Sequence, residues 1–140
     1  MFKITHEVEK FPENFTGMVE YTTGNKYWYF NGILHRVDGP AIDCINGDKF
    51  WYLNGKLHRI DGPAFECVNG NKHWYLNGNV HREDGPAIEY ANGNKQWWLN
   101  NKRFSSKEAW QKELVKSKPT CNNKIVEVDG KKYKLVLTEG

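Results

Sequence analysis

Along most of this chain, apolar and polar residues alternate in short stretches, each closed by a turn-forming pair. Lys49-Phe50-Trp51-Tyr52-Leu53 and Ala64-Phe65-Glu66-Cys67-Val68 typify the two kinds of stretch. Both are rich in aromatic and β-branched residues, and their period of two is that of a strand. Asn-Gly pairs follow at 31-32, 46-47, 54-55, 69-70, 77-78 and 92-93. Such pairs suit the type I′ hairpin turn, where both central residues need positive φ. The pattern predicts a string of antiparallel hairpins.

The string is periodic. Trp28, Trp51, Trp74 and Trp97 recur at 51 − 28 = 23 residues, and His35, His58 and His81 keep the same spacing within Trp-Tyr-x-Asn-Gly-x-x-His-Arg-x-Asp-Gly-Pro-Ala. A fixed period in this range signals stacked repeats whose units bury their apolar faces against neighbours. The expected class is mainly β: stacked antiparallel hairpins forming an elongated twisted sheet, with one C-terminal helix and a terminal hairpin. The 140 residues suffice for one domain, parsed as lead-in 1–15, hairpin repeats 16–104, capping helix 105–118 and C-terminal hairpin 119–140.

A two-residue loop at Asn46-Gly47 would set Cys44 opposite Lys49, Asp43 opposite Phe50 and Ile42 opposite Trp51. Cross-strand partners share a face, so Ile42, Cys44, Trp51 and Leu53 are the expected core. The other face would carry Glu20, Asp43, Glu66 and Glu89 beside Tyr29, Tyr52, Tyr75 and Trp98. Asp38-Gly39-Pro40, Asp61-Gly62-Pro63 and Asp84-Gly85-Pro86 mark a second turn, with Pro fitting a strand start. Leu57-His58-Arg59 reads equally as a third short strand or an arc. Ser105-Ser106-Lys107-Glu108 has the form of a capping box with Ser105 as cap. A helix to about Lys116 should follow, with Ala109, Trp110 and Leu114 on one face and Pro119 beyond its end. Lys124 to Leu137 reads as a hairpin around Asp129-Gly130.

Charge and cysteines narrow the setting. Residues 24–104 hold ten Lys/Arg against eight Asp/Glu, so the repeats are nearly neutral although the chain carries +3. A general nucleic-acid grip is not indicated. No apolar run approaches the roughly 18 residues of a membrane span, and the first residues lack a secretory signal, so a cytoplasmic location is expected. Cys44 and Cys67 occupy one place in successive repeats, about 10 Å apart if each repeat adds two strands. That is too far for a disulfide, and reduced thiols are expected.

The aromatic strand, Asn-Gly turn, charged loop and Asp-Gly turn resemble the MORN repeats, which stack as β-hairpins into an elongated twisted sheet. The form Trp-Tyr-Leu-Asn-Gly-Lys-Leu-His-Arg-Ile-Asp-Gly-Pro-Ala at 51–64 is most similar to the MORN-type repeats of bacteriophage and large-virus proteins, and the likeness spans about Met18 to Phe104. It implies a scaffold or protein-binding module, and no catalytic residues transfer.

The candidate chemistry is limited by spacing. Ligands of one zinc ion lie within about 4 Å of each other, so His35, His58 and His81 at about 10 Å cannot share a metal, and no metal or cofactor is expected. Carboxylate rungs about 10 Å apart fit poorly to the 5.5 or 6.5–9.5 Å of glycoside hydrolases; a cross-strand role beside Tyr27, Phe50, His73 and Gln96 is expected instead. In His-Arg-x-Asp-Gly-Pro, Arg should pair with Asp or turn carbonyls and His should pack on an aromatic. Specificity should reside where copies differ, at Tyr27/Phe50/His73/Gln96, Ile33/Lys56/Asn79, Val37/Ile60/Glu83 and from Lys102 onward. The expected function is a non-enzymatic protein-binding module, a phage protein that binds a host defence component. The candidate binding residues are Tyr29, Arg36, Tyr52, Arg59, His73, Tyr75, Arg82, Trp98, Lys102 and Arg103. The rival is a nucleotide or single-stranded nucleic-acid binder that stacks bases on Tyr29, Tyr52, Tyr75 and Trp98 and holds phosphates with Arg36, Arg59 and Arg82. No membrane insertion is expected, and homo-oligomers could form through a sheet edge or the C-terminal hairpin.

Overall fold

The two central 23-residue units each supply two strands to one continuous sheet and two more to a small hairpin beside it. A computed structural model describes residues 2–3, 12–118 and 125–134. Most of the lead-in, Pro119, Cys121, Lys124 and residues 135–137 of the expected tail hairpin lie outside these. In the second unit, Ile42–Asp43 and Lys49–Phe50 enter the large sheet, whereas Tyr52–Leu53 pairs with Lys56–Leu57. Neighbours in the large sheet follow chain order from Gly17–Glu20 to Lys102–Phe104, all antiparallel, and Phe2–Lys3 adds a parallel strand beside Gly17–Glu20. This is the mainly β, stacked-hairpin architecture that the period predicts, in an open sheet.

The Asn-Gly pairs make two different turns. Asn31, Asn54 and Asn77 have φ of 48°, 50° and 50°, and each following glycine is also positive, as type I′ requires. At Asn46-Gly47 only the glycine is positive, φ 101°. There Cys44 N–H donates to Asp48 C=O (2.9 Å) and Gly47 N–H to Cys44 C=O (2.9 Å). That is a three-residue loop, a type I turn with a glycine bulge, repeated at Gly24, Gly70 and Gly93.

One extra loop residue overturns the expected register. Ile42 faces Phe50 and Asp43 faces Lys49, not Trp51 and Phe50. A one-residue slip exchanges every side chain between faces, so Ile42, Cys44, Trp51 and Leu53 do not form a common core. Ile42, Phe50, Phe65, His73, Ile88 and Gln96 share one face through successive partners. The other face bears Glu20, Lys26, Asp43, Lys49, Glu66, Lys72, Glu89 and Lys95 in one alternating row. The acidic residues therefore stand beside lysines, not beside Tyr27, Phe50, His73 and Gln96.

Tryptophan is the pivot between large sheet and small hairpin. Trp51 N–H donates to Ala64 C=O (2.8 Å), while its own C=O accepts from His58 N–H (3.0 Å); Trp28 and Trp74 repeat this with Ala41 and His35, and with Ala87 and His81. Lys56–Leu57 is thus a third short strand. Gly55 N–H to Leu34 C=O (2.9 Å) and Gly78 N–H to Leu57 C=O (2.8 Å) stitch successive small hairpins together. Buried volume is sparse. Ala41, Ala64, Ala87 and Val19 are fully buried, the first three at the repeat seams, whereas the tryptophans of the period are half-buried.

The ends replace what a neighbouring unit would provide. Thr16 Oγ1 accepts the Asn31 amide (3.0 Å) and Phe15 C=O that of Gly32 (2.7 Å). At the other end Phe104 pairs with Trp97, and the helix is Lys107–Ser117. Its cap is Ser106, whose Oγ accepts the Ala109 amide at 3.1 Å, and not Ser105. The expected box fails because Glu108 then lies at the second helical position instead of the third. Trp110 is buried, packs its ring 4.7 Å from that of Trp97 and donates Nε1–H to Arg82 C=O (3.2 Å).

Two compact units divide between Trp110 and Gln111. The second holds the remainder of the helix and the hairpin of Ile125–Val128 with Lys131–Lys134, turned at Asp129 (φ 52°) and Gly130 as the sequence predicts.

Candidate functional site

The repeated loop closes around its arginine. In the strand Lys26–Phe30, Trp28 shares a face with Lys26, and Arg36 lies over its ring at 4.0 Å; Arg59 over Trp51 (4.0 Å) and Arg82 over Trp74 (3.9 Å) do the same. Each Nε donates to the loop aspartate, Asp38, Asp61 or Asp84, at 2.9, 2.9 and 2.7 Å. Each Nη1 donates to the proline carbonyl, of Pro40, Pro63 or Pro86, at 3.2, 3.1 and 3.1 Å. Arg59 and Arg82 add Glu66 (2.9 Å) and Glu89 (3.1 Å). Asp43, one methylene shorter, instead accepts from Lys49 Nζ at 2.8 Å.

The loop glycine is there for space. A Cβ at Gly39, Gly62 or Gly85 would meet the guanidinium carbon at 3.0, 3.0 and 2.9 Å. The hydrogen bond from the neighbouring arginine holds all three aspartates below the usual carboxylate range.

The histidines do different work from that expected. His35, His58 and His81 accept at Nδ1 the amide of Asn54 (3.0 Å), Asn77 (3.0 Å) and Asn100 (3.1 Å), the first turn residue of the next unit. Each histidine is therefore an inter-repeat cap; the expected packing on an aromatic ring occurs at His35 with Phe30. Bonding at Nδ1 leaves the proton on Nε2, and His81 Nε2 stands 3.3 Å from Glu83. A parallel set of ties joins the bulged turns: Asn25, Asp48 and Asn71 accept the amides of Ile45, Val68 and Ala91.

The opposite face is aromatic. Phe50 and Phe65 stack at 4.5 Å, Phe65 meets His73 at 5.3 Å and His73 meets Tyr90 at 6.2 Å. Tyr21 packs edge-on against Tyr27 at 4.8 Å. Trp98 Nε1 donates to Gln96 Oε1 (3.1 Å), and Gln96 Nε2 to Tyr90 Oη (3.2 Å). Burial raises the phenols of Tyr29 and Tyr75, assisted at Tyr29 by a hydrogen bond with Tyr21, and lowers the His73 imidazole. Burial, reinforced by Asp48 and Asp43, raises the Cys44 thiol, which opposes thiolate chemistry.

The predicted residues thus fall into three places. Tyr29, Trp98 and His73 lie on the aromatic face of the large sheet, and Tyr52 and Tyr75 continue it into the small hairpins, where they pair with Leu57 and Val80. Arg36, Arg59 and Arg82 lie across the sheet from them, and Lys102 and Arg103 are exposed on the last strand, paired with Leu99 and Trp98. Sequence reasoning missed the histidine caps and the alternating lysines; the Lys at 26, 49, 72 and 95 was a visible signal of the latter. Among the described residues no group of three His, Cys, Asp or Glu could hold a metal ion, and no helix is long and apolar enough to cross a membrane. No protein-family model, curated protein or solved structure matches the chain.

Proposed function

We propose that this chain is a non-enzymatic protein-binding module whose aromatic face meets its partner. One observation carries the reading: one of the columns where the copies differ, Tyr27, Phe50, His73 and Gln96, lies on that face, while the repeated Arg and Asp pair with each other and the repeated His with the turn amide of the next unit. A surface that is constant in scaffold and graded in side chain suits recognition of one partner. With the MORN-type resemblance, the reading extends to a viral protein acting in the host cytoplasm on a host defence component.

The nucleotide or single-stranded nucleic-acid reading needs rings and cations on one surface. Arg36, Arg59 and Arg82 are across the sheet from Tyr29, Tyr52, Tyr75 and Trp98 and already face carboxylates, so it draws no support here. The test is a pull-down from host lysate with wild type and with His73→Glu. One host protein should be retained saturably by wild type and lost by the variant. Absence of any saturable partner, or equal retention by both, overturns the proposal.

A further inference from the structure

Between successive arginine loops run two equivalent open grooves, each of about 590 Å³. Val37 and Ile60 flank the first, over Trp51 and Leu53; Ile60 and Glu83 flank the second, over Trp74 and Leu76. Arg59, Ile60 and Asp61 form the wall they share. The middle position of His-Arg-x-Asp is where these flanking residues sit, and it stands apart from its neighbours. His caps a turn, Arg stacks on Trp, Asp binds Arg and the Pro carbonyl accepts from Arg, two residues before the strand begins and not at its start as expected, yet Val37 and Ile60 are 83% and 86% exposed. Two β-branched apolar side chains held open at one repeat position contribute nothing to packing.

The charge of the rim is equally one-sided. The arginine side chains are only 20–25% exposed, whereas Asp38, Asp61 and Asp84 are 84–85% exposed and Glu83 is 59% exposed. The surface therefore offers carboxylates and hides its cations. Along the row it reads apolar, apolar, acidic.

We propose that this row is a docking trough for a peptide in the polyproline II conformation carrying two bulky apolar side chains three residues apart and a lysine or arginine three residues further on. The spacing follows from the fold. Equivalent positions lie two strands apart, about 10 Å, and a polyproline II chain rises about 3.1 Å per residue with three residues per turn, so residues three apart span one repeat and face the same side. The first apolar side chain enters the groove between Val37 and Ile60, the second enters between Ile60 and Glu83, and the cation meets Glu83 and Asp84. The trough lies across the sheet from the aromatic face and goes beyond the reading above.

Fluorescence anisotropy with labelled twelve-residue peptides tests this. One peptide carries Leu-x-x-Leu-x-x-Arg in a Ser/Gly background, a second has the same composition with the leucines two apart, and a third has Glu for Arg. The matched peptide should bind saturably in the micromolar range, with the other two at least tenfold weaker. Ile60→Asp should abolish binding while leaving the urea midpoint unchanged, since Ile60 is exposed, and Glu83→Lys should reverse the preference between the Arg and Glu peptides. His73→Glu, on the other face, should leave peptide affinity as it is, which separates this trough from the aromatic face. Failure of the matched peptide to bind, equal binding of the mis-spaced peptide, or indifference to Glu83→Lys overturns the proposal.

Discussion

Replacing Arg59 by alanine tests whether the arginine loop holds the repeats together. The stack on Trp51 at 4.0 Å is a partly exposed cation–π contact of about 1 kcal/mol. The bond to Pro63 C=O at 3.1 Å adds about 1 kcal/mol net. The pair with Glu66, which is 36% exposed, adds roughly 0.5 kcal/mol. The pair with Asp61 stands in solvent and adds little. The sum is about 2.5 kcal/mol. With a urea m-value of about 1.5 kcal/mol/M for a chain of this size, the midpoint should fall by well over 1 M.

Arg59→Lys should lose more than half as much, because an ammonium cannot stack flat and serve both Asp61 and the Pro63 carbonyl. Arg36→Ala should cost less than Arg59→Ala, since Asp43 is committed to Lys49. Equilibrium urea unfolding followed by tryptophan fluorescence gives all three values. A midpoint shift below about 0.3 M for Arg59→Ala, or a lysine variant equal to wild type, would refute the account.

Three further predictions follow from the turns and the aromatic face. His58→Ala should speed amide exchange at Asn77 (3.0 Å from Nδ1) and cost about 1 kcal/mol, with exchange at Asn54 and Asn100 unchanged; NMR hydrogen exchange reads it. Asn54→Ala should cost roughly 1–2 kcal/mol because Asn54 sits at φ 50°, and Asn54→Gly much less because glycine takes positive φ freely; Asn46, not among the positive-φ positions, should show no such Ala–Gly difference in thermal unfolding. His73, whose folded pKa is lowered by burial, binds fewer protons folded than unfolded. Stability should therefore be full above about pH 6.5 and fall as the pH drops below it, and His73→Gln should flatten that part of a pH-dependent urea midpoint series.

Much of the fold was legible because the repeat states it several times over. Trp51 and its equivalents, the Asp-Gly-Pro turns and the helix, though not its cap at Ser106, were all visible as local signals. The faces were not. Asn31-Gly32 and Asn46-Gly47 are the same dipeptide, and the choice between a two-residue and a three-residue turn rests on how the flanking strands pair with the next unit. From that single choice followed the wrong core and the wrong neighbours for Glu66. The candidate site was legible in part: the arginine was expected to bind its aspartate and turn carbonyl and does, but the ring beneath it was assigned to a core. His58 showed no local sign that its partner would be the amide of Asn77, nineteen residues on.

The sequence by itself determined the period, the strand-and-turn string and the helix at its end, because propensity and turn chemistry act over a few residues. Only the tertiary structure decided which face each residue occupies, which loop residues are consumed by neighbouring repeats and which, like Val37 and Ile60, are left exposed. Those outcomes depend on registry between units. A strand with a side-chain period of two has no local means of choosing between its two faces.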